Sequence, residues 1–183
     1  MPEYIALLRG INVSGQKKIK MADLRVHLSA LGLDNVQTYI QSGNISFESK
    51  AAPEGHLAAM IRGKILEVYG FEVPTLVISA TELQHVAAAN PFLEAAASNP
   101  ARMLVTFLGE VPELEAAKTF TGLSFPNEYF ELAGKAVYLN CPNGYGRAKL
   151  NNNFIERKLK VPATTRNWKT ILKLLDMTGQ AQP

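Results

Sequence analysis

Two segments, YIALLRG (Tyr4–Gly10) and MLVTFL (Met103–Leu108), are apolar at nearly every position. Short runs of this kind read as strands covered on both faces, since a strand with one wet face alternates apolar with polar. Each opens the same series of elements, and that repetition constrains the fold more than any other feature of the chain. After the first run, Met21, Leu24, Leu28 and Leu31 stand at helical spacing and Gly32 stops the helix. Val36–Ile40 and Ile45–Phe47 read as strands around the turn QSGN (Gln41–Asn44), where Ser-Gly supplies a positive φ. Leu57, Met60, Ile61, Ile65 and Val68 mark a second helix capped by Gly70, and PTLVIS (Pro74–Ser79) is the next strand. The order is β-α-β-β-α-β, the split unit of ferredoxin-like folds.

Ser79 and Glu82 have capping-box spacing and start an alanine-rich helix that ends before Pro91. The series then repeats. A helix follows the Met103–Leu108 strand, from Pro112 to about Phe120, with proline in its first turn. Strands Glu128–Leu132 and Ala136–Cys141 flank the turn Ala133-Gly134-Lys135. A helix from Asn151 to Leu159, the short strand Val161–Thr165 and a closing helix complete the chain. The closing helix carries Trp168, Ile171, Leu172 and Leu175 on one face. The fold class is therefore α+β, an α/β sandwich of two ferredoxin-like subdomains in tandem plus a C-terminal helix. The expected organisation is subdomain 1 over 1–80, a connecting helix and loop over 81–100, and subdomain 2 with the closing helix over 101–183. The two halves share element order and not residues. Taking the first and third strands of the first half as parallel, the topology puts the loop Arg9–Lys20 and the turn Gln41–Asn44 at opposite ends of the sheet.

With 183 residues the chain is long enough for a sizeable core, and no apolar run approaches the roughly 20 residues needed to cross a bilayer. The start, MPEYIALLRGINV, lacks the basic segment and cleavage site of a signal peptide. The single cysteine, Cys141, allows no internal disulfide. These features give the expectation of a cytoplasmic protein without a membrane partner. Lys and Arg outnumber Asp and Glu by six to four in residues 1–50 and by eight to two in residues 141–183. Between them, five stand against ten. With a pI near 9.0, basic ends that meet in the fold would favour an anionic partner, a nucleic acid or a phosphorylated small molecule; the alternative is a solvated tail helix with lysines on its outer face. The oligomeric state is open, with a monomer favoured.

Two loops carry the candidate chemistry. RGINVSGQKKIK (Arg9–Lys20) has glycines separated by four residues, as in a P-loop. A P-loop places lysine and a hydroxyl directly after the second glycine. Here Gln16 intervenes, Lys17 is followed by Lys18, and the helix begins near Met21, too late to close a cradle. What remains is a basic loop in which Arg9, Lys17 and Lys18 with glycine N–H groups could hold phosphate, or a flexible basic connection that holds nothing. The second loop, Tyr145-Gly146-Arg147-Ala148-Lys149, precedes a helix with Asn151 as its N-cap. An aromatic and two cations before a helix N-terminus suit an anion, with Tyr145 free to stack on a base or sugar. The alternative packs Tyr145 inward and pairs Arg147 with a carboxylate. Asn167 caps the last helix, Trp168 anchors it, and Arg166 is left to bind.

No catalytic set is marked. His27, His56 and His85 fall on three different helices without metal-ligand spacing, and no metal or cofactor motif is present. Cys141 ends an apolar strand before Pro142 and reads as a buried inert thiol. Ser42 has neither a G-x-S-x-G elbow nor a histidine partner.

Four segments, LLRGINVSGQKKIKM, TYIQSGNISFES, NGYGRAKLNNNFIERKL and ATTRNWKTILKLL, occur in the order of one bacterial family, which the chain resembles. That family is known only as domain of unknown function 1697. The resemblance implies a pair of ferredoxin-like subdomains and no reaction. Its motif positions here are Arg9, Gly10, Asn12, Gly15, Lys18, Gln41, Ser42, Gly43 and Asn44 in the first half. In the second half they are Tyr145, Gly146, Arg147, Lys149, Thr165, Arg166, Asn167 and Trp168. Two readings follow. In the first, basic loops bind an anion, with nucleic acid the leading partner, through loops and not through an open sheet face. In the second, an enzyme holds a small phosphorylated substrate in a cleft between subdomains. There Arg9, Lys18, Arg147 and Lys149 grip the anion, and Asn12, Gln41, Ser42 and Asn44 orient the rest. A structural or interaction module, with turns and caps as its polar motifs, is the third reading.

Overall fold

A computed structural model describes all 183 residues, which divide into two compact units. The first comprises Met1–His85 with Lys173–Gln182, and the second Val86–Leu172 with Pro183. In the first unit the order is β1 (Glu3–Leu8), α1 (Met21–Ser29), β2 (Asp34–Tyr39), β3 (Asn44–Glu48), α2 (Glu54–Tyr69) and β4 (Thr75–Ser79). Helices α3 (Ala80–Ala88) and α4 (Leu93–Ser98) and a 3-10 turn at Pro100–Arg102 lead into the second series. That series is β5 (Met103–Leu108), α5 (Leu114–Thr121), β6 (Tyr129–Ala133), β7 (Ala136–Asn140), α6 (Asn152–Leu159) and β8 (Ala163–Asn167). A 3-10 turn at Tyr145–Arg147 precedes α6, and α7 (Trp168–Met177) follows β8. The sheets are ordered β2-β3-β1-β4 and β6-β7-β5-β8. This is the ferredoxin-like arrangement, twice.

Each sheet packs one face on its own two helices. In the first unit Tyr4, Ala6 and Leu8 of β1 meet Leu24 and Leu28 of α1 and Leu57, Ile61 and Ile65 of α2. In the second, Leu104 and Leu108 of β5 meet Phe120 of α5 and Ile155 and Leu159 of α6. Burying each such aliphatic side chain stabilises by about 1.5–3 kcal/mol. Ile5 and Leu7, on the opposite face of β1, are also completely buried. Burial on both faces explains the unbroken apolar run, and it leaves no open face at β1 to display aromatic side chains.

One expectation is corrected here. The first and third strands are antiparallel, with Leu7 paired to Asn44 and Glu3 to Glu48. The reason is a count of reversals. A helical crossover returns the chain so that β2 runs the same way as β1, and the tight hairpin then reverses β3. The exit of β1 and the β2–β3 turn therefore share one end of the sheet. The second unit repeats this closure bond for bond. Leu8 N donates to Gly43 O at 2.8 Å and Arg9 N to Pro74 O at 3.0 Å. Their counterparts are Leu108 N to Lys135 O at 2.9 Å and Gly109 N to Pro162 O at 2.8 Å.

Candidate functional site

The shared end of the first sheet is built around Asn12. Its side-chain amide donates to Ile19 O at 2.9 Å and to Gln41 O at 2.8 Å, while its Oδ1 accepts from Ile19 N at 2.9 Å. One asparagine thus closes its own loop and pins it to the hairpin turn. Asn12 N reaches Lys17 O at 3.1 Å, and Gln16 N reaches Val13 O at 3.0 Å, which folds the loop tip on itself. Within the turn, buried Asn44 donates to Tyr39 O at 3.1 Å and to Ser42 Oγ at 3.0 Å. The polar motif residues Asn12, Ser42 and Asn44 therefore serve the loops' own architecture.

The cations differ. Lys17, Lys18 and Lys20 are exposed, and Ile11 and Ile19 between and beside them are buried, which directs the lysines outward. Lys17 Nζ touches Glu72 O at 2.7 Å. Segments 9–20 and 40–44 hold Arg9, Lys17, Lys18 and Lys20 and no Asp or Glu. The same end concentrates unusual backbone. Of the seven non-glycine residues with positive φ, Asn12, Ser14, Lys17 and Ile40 lie here. Ile40, at φ 51°, is β-branched and half exposed, so its conformation is strained.

The remaining candidates lie in the second unit, at the sheet end where β7 exits. Tyr145 packs inward. Its hydroxyl accepts from Asn152 N at 2.8 Å and hydrogen-bonds with Thr165, whose hydroxyl lies 2.7 Å from that of Thr106. Thr165 in turn donates to Asn152 Oδ1 at 2.9 Å. Burial pushes the Tyr145 hydroxyl above its ordinary pKa, against the hydrogen bonds from Thr165 and the Asn152 amide. These bonds hold the Tyr145 hydroxyl within the unit, as in the inward-packed alternative.

The N-terminus of α6 holds an anion already. Glu128 Oε1 accepts from Lys149 N at 2.8 Å and Oε2 from Leu150 N at 3.0 Å. Asn151 caps the helix by accepting from Phe154 N at 3.0 Å. The side chains of Arg147 and Lys149 remain exposed. Arg166 is not the open binding group of the sequence reading. It is half buried on β8, its guanidinium donates to Thr165 O at 3.0 Å, and burial lowers its pKa to about 10. Asn167 accepts from Thr170 N at 2.9 Å as the α7 cap, and Trp168 is buried. Cys141 is buried with its thiol pushed up to about 11 by burial and then by the charge of Glu128, so it is no thiolate.

The structure thus joins Arg9, Asn12, Lys17, Gln41, Ser42 and Asn44 at one edge, with Lys18 beside them. It places Tyr145, Arg147, Lys149 and Arg166 in the other unit. Missing from the sequence reading were Lys20 and Glu128. Lys20 was legible as a fourth cation of its loop. Nothing local to Glu128 announces a partner more than twenty residues on.

A family model, described as Protein of unknown function (DUF1697), matches residues 1–138. The chain belongs to that family. Within the DUF1697 match lie the Arg9–Lys20 loop and the Gln41–Asn44 turn, whereas Tyr145–Lys149 and Thr165–Trp168 fall beyond its last matched residue. The chain is also similar to a solved structure described as a conserved bacterial protein from Streptococcus pneumoniae. Identity is 27%, the TM-score is 0.74, and the likeness covers 96% of this chain and 98% of that one. A search of curated proteins finds no match. No helix is long and apolar enough to cross a membrane.

Proposed function

We propose that this DUF1697 protein binds a nucleic acid backbone at the edge formed by the Arg9–Lys20 loop and the Gln41–Asn44 turn. One observation carries the reading. Four cations fall on segment 9–20, neither it nor segment 40–44 holds a carboxylate side chain, and Asn12 ties the two segments into one surface. Such a surface concentrates positive potential where phosphates can approach. Strained backbone at Ile40 supports the reading, because strain collects at sites whose geometry is held for a partner. Phosphate contacts would fall to the Arg9, Lys17, Lys18 and Lys20 side chains, with exposed Gln41 beside them. Burial of both faces of β1 argues against binding across the sheet.

The test is electrophoretic mobility of labelled single-stranded RNA and DNA at low and high salt. Retardation at low salt that fades steeply as salt rises is expected. The triple variant Lys17→Ala, Lys18→Ala, Lys20→Ala should lose it, and Lys118→Ala in the second unit should keep it. Absence of retardation at low salt, or equal retardation by the triple variant, rejects the proposal.

A further inference from the structure

We infer that the second unit carries a small-ligand site of its own, a pocket for a phosphorylated sugar or polyol in which Arg102 and Arg147 hold the phosphate. This site is separate in residues from the nucleic-acid edge and does not rest on that reading. A cavity of about 730 Å³ opens among Asn99, Arg102, Asn127, Glu128, Asn143 and Arg147. Ligand pockets generally span about 300–1,000 Å³. Arg102 and Arg147 are exposed residues that line this cavity, and neither forms an ion pair. The planar fork of arginine matches two oxygens of a phosphate, and two forks from separate segments fix its orientation.

Backbone hydrogen bonds brace the wall, and bracing of this kind limits the ordering entropy lost on binding. Cys141 N donates to Arg102 O at 2.9 Å, joining the two segments that bear the arginines, and Gly144 N donates to Cys141 O at 2.9 Å. Glu128 sits among these groups and its charge opposes an anion. Each of its oxygens is already engaged, with Lys149 N at 2.8 Å and Leu150 N at 3.0 Å. A carboxylate oxygen so engaged still has a lone pair for a ligand hydroxyl. Two guanidiniums against one carboxylate leave a net positive pocket, suited to one phosphate group. The three asparagines offer amide donors and acceptors, the complement of hydroxyls. No aromatic ring lines the cavity, so a nucleobase would have nothing to stack on. A sugar or polyol phosphate therefore fits better than a nucleotide.

The experiment is a thermal-shift titration of the full chain at constant ionic strength with ribose 5-phosphate, ribose and inorganic phosphate. Binding to the folded state raises the melting temperature saturably. A saturable rise with ribose 5-phosphate, a weaker one with phosphate and none with ribose are expected. Arg102→Ala and Arg147→Ala should each weaken the midpoint about tenfold or more, the loss of a charge-assisted bidentate contact. Arg147→Lys, which keeps charge but not the fork, should also weaken it. The triple lysine variant of the first unit should titrate like the parent, so failure here and failure of the nucleic-acid reading are told apart. Absence of a saturable shift with ribose 5-phosphate overturns the inference. So do equal midpoints for parent and arginine variants, and equal affinity for phosphate and ribose 5-phosphate.

Discussion

Gly43→Ala tests how the candidate edge is held together. Gly43 has φ 85°, and a Cβ there would stand 2.5 Å from Leu8 Cβ and 3.0 Å from Ile11 Cδ1. Two costs arise. A left-handed backbone with a side chain costs about 1–2 kcal/mol, and overpacking against a fixed strand costs about 1–3 kcal/mol. The neighbour is a Cβ and cannot swing aside, and Gly43 O also accepts the 2.8 Å hydrogen bond from Leu8 N. The expected loss is roughly 2–5 kcal/mol, a large share of a stability near 5–15 kcal/mol. Gly10→Ala is the matched control, because Gly10 has φ 75° and nothing within 4 Å of a Cβ. It should lose about 1–2 kcal/mol. Urea unfolding followed by far-ultraviolet circular dichroism reads both. With an m-value of about 2 kcal/mol/M, the Gly43→Ala midpoint should fall by roughly 1–2.5 M. If the two variants unfold at the same midpoint, the close approach of turn and strand is wrong.

Three further outcomes are expected. Asn12→Ala removes three side-chain hydrogen bonds to Ile19 and Gln41, each worth about 0.5–1.5 kcal/mol. Amide hydrogen exchange should accelerate in the loop and turn, and unchanged protection there would deny Asn12 its linking role. Tyr69 buries a hydroxyl without a partner, and burial raises its pKa with Asp23 adding to the effect. Tyr69→Phe should therefore unfold at the same or a higher urea concentration, and a lower midpoint would show a bond the structure lacks. The Cys141 thiol rises from 9.0 to about 11 in the fold. The folded state keeps its proton longer, so this contribution to stability is whole below pH 9 and is lost as pH climbs through 11. Cys141→Ala should flatten the fall in stability over that window, and an identical pH profile would contradict it.

Local signals mark most of the elements and several of their ends, though not the short α4 at Leu93–Ser98 within the expected connecting loop. Asn151 and Asn167 cap helices as their positions imply, Ser79 Oγ accepts from Glu82 N at 3.1 Å, and Gly43 turns the hairpin. Periodicity says nothing about contacts far along the chain. The Asn12–Gln41 and Glu128–Lys149 hydrogen bonds span 29 and 21 residues, and no local pattern encodes them. Strand direction was legible in principle, since a crossover followed by a hairpin fixes it. Reading β1 and β3 as parallel separated two loops that in fact share an edge. Arg166 was misread for a different reason. Its burial depends on which face of β8 it occupies, and the short strand ATTRN does not mark that face.

The most direct test of nucleic-acid binding at this edge is the salt dependence of affinity for a labelled single-stranded oligonucleotide, measured by fluorescence anisotropy for the parent and for Lys18→Ala. Each phosphate contact on a single strand contributes about 0.7 to the slope of log K against log salt. The expected result is binding that tightens as salt falls, with a shallower slope, by about that amount, in Lys18→Ala. A parent that fails to bind at low salt, or a variant with the parent's slope and affinity, would contradict it.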